Sequence, residues 1–222
     1  MEIRDWNTHV PLPGVEVGDI GPKMGYGSKD NGFLRLTQFR VPKVSLLAKY
    51  ISVDAEGKVT RRGNPKVMYS SMMYMRSGIV GSSYYNLMKA CVIGIRYSIL
   101  RTQFKDSEGT EIPVIKYQMQ KQKMYLLLSR ALVMNAAFHS LEKKIAENDN
   151  RVASEDFSLL KEAHLDLCTH KAFFSEWLNY GYIETMRACG GHGFSILSGV
   201  ANMLVDDFPY MILEGENSVL FL

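Results

Sequence analysis

Met68-Tyr69-Ser70-Ser71-Met72-Met73-Tyr74-Met75-Arg76-Ser77-Gly78-Ile79 is the stretch on which the fold turns, because its apolar residues return every three to four positions. Met68, Met72, Met75 and Ile79 make one stripe at helical spacing. That stripe serves either as core packing or as the adaptable wall of an apolar tunnel, since methionine suits both. Working outward, the pattern changes character at Pro65. Residues 1–64 read as strand and turn, and residues 65–222 read as helix. The fold class expected is mainly α: an antiparallel bundle of three long helices plus shorter ones, preceded by a partial β-sheet, half of a β-barrel-like domain.

The first long helix is expected over residues 66–103. Gly78, Gly81 and Gly94 lower its intrinsic propensity but permit close helix packing. The second is expected over 113–148, opening on Pro113, a favoured first helical position, with Tyr117, Met124, Leu128, Ala131 and Leu132 inward. The third is expected to be capped by Ser154, with Glu155 and Asp156 in its first turn. It continues through Leu160, Ala163, Leu167, Phe174 and Leu178 to Ala188, where Gly190-Gly191 stops it. A shorter helix follows Gly199 and another starts near Glu214. Upstream, a strand is expected over 33–40 behind the turn Asp30-Asn31-Gly32, and a hairpin over 50–60 folded at Asp54-Ala55-Glu56-Gly57. The prolines and glycines between residues 11 and 27 read as a long, shaped loop.

Composition narrows the function classes. Hydrophobic residues make up 46% and charged residues 22%, as in ordinary globular proteins. A net charge of +3 is too small to argue for a nucleic-acid partner or an anionic membrane. No run approaches the roughly 18 to 20 apolar residues of a membrane span. Cys91, Cys168 and Cys189 have no metal-ligand spacing, so they are expected as buried free thiols and no metal site is expected.

Two glycine-marked segments could carry chemistry. Glu214 follows Met211, Ile212 and Leu213 and precedes Gly215. Apolar neighbours penalise the carboxylate and are expected to raise its pKa, which suits a general base acting near neutral pH, and Gly215 lets a substrate approach the backbone. Equally, an acid in the first turn of a helix needs no such role. Gly190-Gly191-His192-Gly193 offers exposed N–H groups against a phosphate or ribose, or simply caps a helix, with His192 a turn histidine. Arg101, with Arg96 before it and Gln103 beyond, either offsets a helix dipole or holds a pyrophosphate. Arg76, mid-helix among Met and Tyr, is expected to pair with an acid or an acyl-CoA group. Tyr69-Ser70-Ser71-Met72 places hydroxyls where they cap a helix or meet a polar ligand.

Taken in order, several strings resemble the peroxisomal acyl-CoA oxidases of the acyl-CoA dehydrogenase superfamily. They are Val17-Gly18-Asp19-Ile20-Gly21-Pro22-Lys23-Met24-Gly25-Tyr26, Tyr74-Met75-Arg76-Ser77, Ile95-Arg96-Tyr97-Ser98, Arg187-Ala188-Cys189-Gly190-Gly191-His192-Gly193-Phe194-Ser195 and Leu213-Glu214-Gly215-Glu216-Asn217. The resemblance implies a partial chain: the second half of the family's β domain, then most of its C-terminal helical domain. It implies FAD as cofactor, fatty acyl-CoA and oxygen as substrates, trans-2-enoyl-CoA and hydrogen peroxide as products, a homodimer, and residence in the peroxisome. The last three residues, Leu220-Phe221-Leu222, are not the family's targeting tripeptide. By the same resemblance Glu214 is the catalytic base. Arg101, Gln103, Gly190, Gly191, His192, Gly193 and Glu216 meet FAD, and Tyr69, Ser70, Ser71, Met72 and Gly215 meet substrate. A non-catalytic helical module for binding or dimerisation, and an acyl-CoA dehydrogenase, are the competing readings.

Overall fold

Three helices carry the structure: α1 (Val67–Leu100), α2 (Gln118–Ala153) and α3 (Leu160–Ala188). The computed structural model describes residues 1–48, 51–61 and 67–222, with side chains from residue 72 onward in the last of these. The chain divides into two compact units, Met1–Val67 and Met68–Leu222.

In the second unit, contacts between the helices give their directions. A Cβ added at Gly94 of α1 would lie 2.8 Å from Met124 Sδ and 3.3 Å from Thr185 Cγ2, and one at Gly81 would meet the Phe138 ring at 2.8 Å. Numbers along α1 therefore fall as those along α2 rise, so these two run antiparallel. Gly181 of α3 meets Leu87, at 2.3 Å from an added Cβ, while Gly94 meets Thr185, so α1 and α3 run parallel. Small residues at these three crossings let the backbones close up, as expected for Gly81 and Gly94 but not for Gly78, whose added Cβ would meet nothing within 4 Å. The core between the helices holds Val80, Leu87, Ala90, Met124, Leu127, Ala131, Met134, Leu167, Leu178 and Tyr182. The five apolar residues expected to face inward from α3 are all buried, and so are the three thiols.

The methionine stripe does not form the buried face of α1. Met72 and Met75 are 38% and 56% exposed, Met68 lies outside the described side chains, and only Ile79 is buried. The inward line is instead Met73, Arg76, Val80, Ser83, Leu87 and Ala90. Its small and polar members close their own needs locally: Ser83 Oγ donates to the Ile79 carbonyl at 2.7 Å and Ser98 Oγ to Gly94 at 2.6 Å. On a helix apolar nearly all round, periodicity does not select a face. On α2, Leu132 points outward and Leu127 and Met134 point in.

Helix ends also moved. α1 stops at Leu100, and Thr102–Lys105 forms strand β5, paired with β6 (Glu111–Pro113). The hairpin closes because Asp106 Oδ1 accepts from the N–H groups of Glu108 and Thr110, both at 3.0 Å. Pro113 thus ends a strand, and α2 starts later with Tyr117 as its N-cap. Ser154 closes α2 rather than opening α3, Glu155 turns the chain with φ 60°, and α3 begins at Leu160. Short helices α4 (Gly191–Phe194), α5 (Val200–Asp207) and α6 (Asn217–Leu220) follow, α5 after Gly199 as expected.

The first unit contains β1 (Val15–Asp19), where a loop was expected, antiparallel to β2 (Gly32–Leu36), and the hairpin β3 (Ile51–Val53) with β4 (Val59–Arg61). The described strands form three separate two-stranded sheets with no closed barrel. No described helix is long and apolar enough to cross a membrane.

Candidate functional site

Two clusters in the helical unit collect the residues of interest. In the first, the segment after a short 3-10 turn (Phe208–Met211) swings through Glu214 and Gly215, both left-handed, with φ 57° and 108°. Glutamate in that region is strained by its Cβ. The conformation is held from below by two buried cations. Arg76 Nε of α1 donates to the Glu214 carbonyl at 2.9 Å, and Lys171 Nζ of α3 donates to the Gly215 carbonyl at 2.5 Å. Of the two partners expected for Arg76, an acid or an acyl-CoA group, no acid bonds it among the described residues: it meets main chain, with its Nη1 also reaching Cys168 Sγ at 3.1 Å and His164 Nδ1 at 3.5 Å. Desolvation and the Arg76 charge hold the His164 imidazole below its ordinary pKa. Glu214 itself is half-buried, whereas Ile212 and Leu213 beside it are exposed. Glu216 caps α6 by accepting from the Ser218 N–H at 2.9 Å, and that bond foremost lowers its carboxyl pKa.

The second cluster is an open cleft of about 530 Å³, within the ordinary range for small-molecule sites. It is lined by Tyr97, Arg101, Gln103, Gln120, Arg187 and the turn Gly190–His192, with Ser195 at its edge. Arg101 Nη2 donates to Gln103 Oε1 at 2.9 Å, and Tyr97 Oη and His192 Nδ1 lie 3.1 Å apart. Gln120 Nε2 donates to the Ala188 carbonyl at 2.9 Å and so fixes the end of α3 beneath the turn. Gly190 has φ 57°, and added Cβ atoms at Gly190 and Gly191 would meet nothing within 4 Å, which leaves their backbone approachable. Gly193 differs: its added Cβ would lie 2.0 Å from the Met186 carbonyl oxygen, so it is there for packing.

Of the residues singled out from sequence, Arg101, Gln103, Gly190, Gly191 and His192 share the cleft; Gly193 packs beneath it. Glu214, Gly215 and Glu216 form the other cluster. Met72 is partly exposed on α1, while the side chains of Tyr69, Ser70 and Ser71 lie outside the described residues. Sequence reasoning passed over Lys171 and Gln120. Lys171 sits four residues after Leu167 and three before Phe174, on the apolar stripe of α3, and a cation in that register is a signal of a buried partner.

Residues 69–222 match the acyl-CoA oxidase C-alpha1 domain. The chain belongs to the acyl-CoA oxidase family. Peroxisomal acyl-coenzyme A oxidase 1 of Mus musculus is 41% identical over 227 residues, covering 100% of this chain and 34% of the relative. The human protein of the same name is 38% identical over 223 residues, with the same coverage. The chain thus spans about a third of the length of the curated relatives it matches. Among solved structures, Arabidopsis thaliana acyl-CoA oxidase 1 superposes with a TM-score of 0.91 at 34% identity, over 99% of this chain and 34% of that one. Acyl-CoA oxidase-2 of Caenorhabditis elegans, bound with FAD, ascaroside-CoA and ATP, gives 0.91 at 31% identity over the same shares.

Proposed function

We propose that this chain carries the catalytic base and part of the flavin site of an FAD-dependent acyl-CoA oxidase, which converts fatty acyl-CoA and oxygen to trans-2-enoyl-CoA and hydrogen peroxide. The observation that carries the reading is the Glu214-Gly215 turn, a carboxylate on a backbone fixed from two helices, in a chain of this family. Glu214 removes the α proton of the thioester. A base on a fixed main chain loses little entropy in reaching its proton, and Gly215 keeps side-chain bulk away from the substrate.

The cleft residues fit FAD in chemistry. The guanidinium groups of Arg101 and Arg187 suit a pyrophosphate, Gln103, Tyr97 and His192 supply donors for ribose or ring, and the Gly190-Gly191 backbone allows close approach. FAD held there would supply an acceptor for the hydride released at the β carbon and a route for its electrons to oxygen. The exposed apolar residues Leu132, Val133, Tyr180 and Ile183 on α2 and α3 support assembly with a second copy. Residence in the peroxisome is proposed from relatives named as peroxisomal.

The test is the visible absorption spectrum of the chain after FAD is added and excess removed. The expected result is a retained flavin band that bleaches anaerobically with a long-chain acyl-CoA, with peroxide formed on readmitting oxygen. A band that bleaches without peroxide on reoxidation would favour a dehydrogenase. No retained band, or bleaching unchanged in Glu214→Gln, would overturn the reading for this chain.

A further inference from the structure

Lys171 is fully buried, and its ammonium has three partners for its three N–H groups: the Gly215 carbonyl at 2.5 Å, Asn217 Oδ1 at 2.9 Å and the Met211 carbonyl at 3.4 Å. None of them is a carboxylate. Met211 closes the 3-10 turn before Glu214 and Asn217 opens α6 after it, so one cation ties both ends and the middle of this segment to α3. Asn217 is fixed in turn, its Nδ2 donating to Ser175 Oγ at 3.0 Å and Glu176 Oε1 at 2.8 Å.

We propose that Lys171 is a positioning residue for the reaction, holding the left-handed Glu214-Gly215 turn so that the carboxylate is presented to the substrate. The proposal rests on the reading of Glu214 as the base. Stability does not account for the lysine. Burial foremost, with Arg76 adding, lowers its pKa from 10.5 to about 8, against the opposing pull of Glu216, Glu176 and Glu214. A buried cation without a directly bonded counter-ion is expensive, and an apolar side chain on this stripe would avoid that cost. What the ammonium alone supplies is three convergent donors on one flexible stem. It grips main chain, and so fixes the base without tying up its carboxylate in a close ion pair. Misplacing a reacting group by about 1 Å can cost roughly 100-fold in rate.

The groups facing Lys171 are Arg76 from α1, Glu176 on α3, and Glu214 and Glu216 from the turn segment, with His164 and Cys168 beyond on Arg76. Above a pH of about 8 the amine loses one donor and leaves one of the three acceptors unmatched. Turnover is then expected to fall on the alkaline side, and Lys171→Arg, which stays charged, is expected to remove that fall.

The experiment uses the 222-residue chain labelled with ¹⁵N and ¹³C, so the first readout needs no turnover. Lys171→Met is expected to abolish or broaden the positive-φ shifts of Glu214 and Gly215 while the amides of buried Leu127 and Leu178 stay in place. Lys171→Arg is expected to retain them. If Lys171→Met does not fold, Lys171→Gln, which cannot reach three acceptors, carries the same expectation. In the flavin-loaded protein, kcat is expected to fall about 100-fold, with KM within about threefold and flavin content unchanged. Unchanged turn shifts, or a kcat within about threefold of the parent, would overturn the proposal. A Glu214→Gln protein that still turned over would instead sink the assignment of the base and leave the shift measurement standing.

Discussion

The turn at Glu214-Gly215 and the turn at Gly190-Gly191 are both glycine-marked bends near α3, yet their cations are deployed in opposite ways. At the first, Arg76 and Lys171 are buried and already bonded to main-chain carbonyls. At the second, Arg101 and Arg187 are exposed on the wall of an open cleft, and the glycine backbone is approachable. The difference is one of exposure and partner: the first two cations are buried and bonded to main chain, whereas Arg101 donates to the Gln103 side chain and the exposed Arg187 pairs with Glu184. Under the proposed function the first arrangement fixes the base before substrate arrives, and the second would turn its exposed guanidinium groups to the phosphates of a ligand.

The largest effect that would break this contrast lies at Glu214, the proposed base. Glu214→Gln is expected to lower turnover about 1,000-fold, roughly 4 kcal/mol, while leaving flavin retention unchanged. Anaerobic bleaching by acyl-CoA against the retained flavin band checks it. Next is Gly193→Ala, which puts a Cβ 2.0 Å from the Met186 carbonyl oxygen and is expected to destabilise the helical unit by about 3 kcal/mol. Chemical unfolding measures it, and a parent-like midpoint would mean the turn is looser than its geometry. At the cleft, Arg101→Ala is expected to weaken FAD binding about 10-fold by loss of one charge-assisted contact, whereas Arg96→Ala, outside the lining, is not. Equal losses in a calorimetric titration would show that general charge rather than the cleft attracts the cofactor.

The smallest effect concerns Asp207, on the segment joining the two turns. It accepts from Tyr182 Oη, and from Asn86 Nδ2 at 2.8 Å; burial foremost raises its carboxyl pKa above the usual value of 3.8. A raised folded-state pKa gives a stabilisation complete below the unfolded value and lost as pH rises through the folded one. Asp207→Asn, which cannot ionise, is therefore expected to compare more favourably with the parent at pH 7 than at pH 4. Thermal unfolding at both values checks this, and an identical difference at the two would show that Asp207 titrates normally.

Much of the fold was legible because long helices announce themselves. The apolar register of α3 was read correctly since Leu160, Ala163, Leu167, Phe174 and Leu178 stand against polar neighbours. The face of α1 was not legible, because Met, Tyr, Ile and Val surround it and its true seam is built from Ser83, Ala90, Gly94 and Ser98. Boundaries failed where local chemistry outweighed periodicity: the Asp106 turn made a hairpin of residues expected at a helix end, and Ser154 closed a helix that it was expected to open. At the site, Glu214 and the Gly190-Gly191 turn were marked by adjacent glycines. Lys171 was not, because it acts from a distant point of the chain.

Sequence alone determined the helical class, the two glycine-marked turns and the family resemblance, because each is written in neighbouring residues or in their repeat. Tertiary structure decided which face of α1 is buried, which residues share the cleft, and that Arg76 and Lys171, 138 and 44 residues from their acceptors, grip successive carbonyls of one turn. Burial and hydrogen-bond partnership depend on which helices meet, and no local pattern along the chain encodes that meeting.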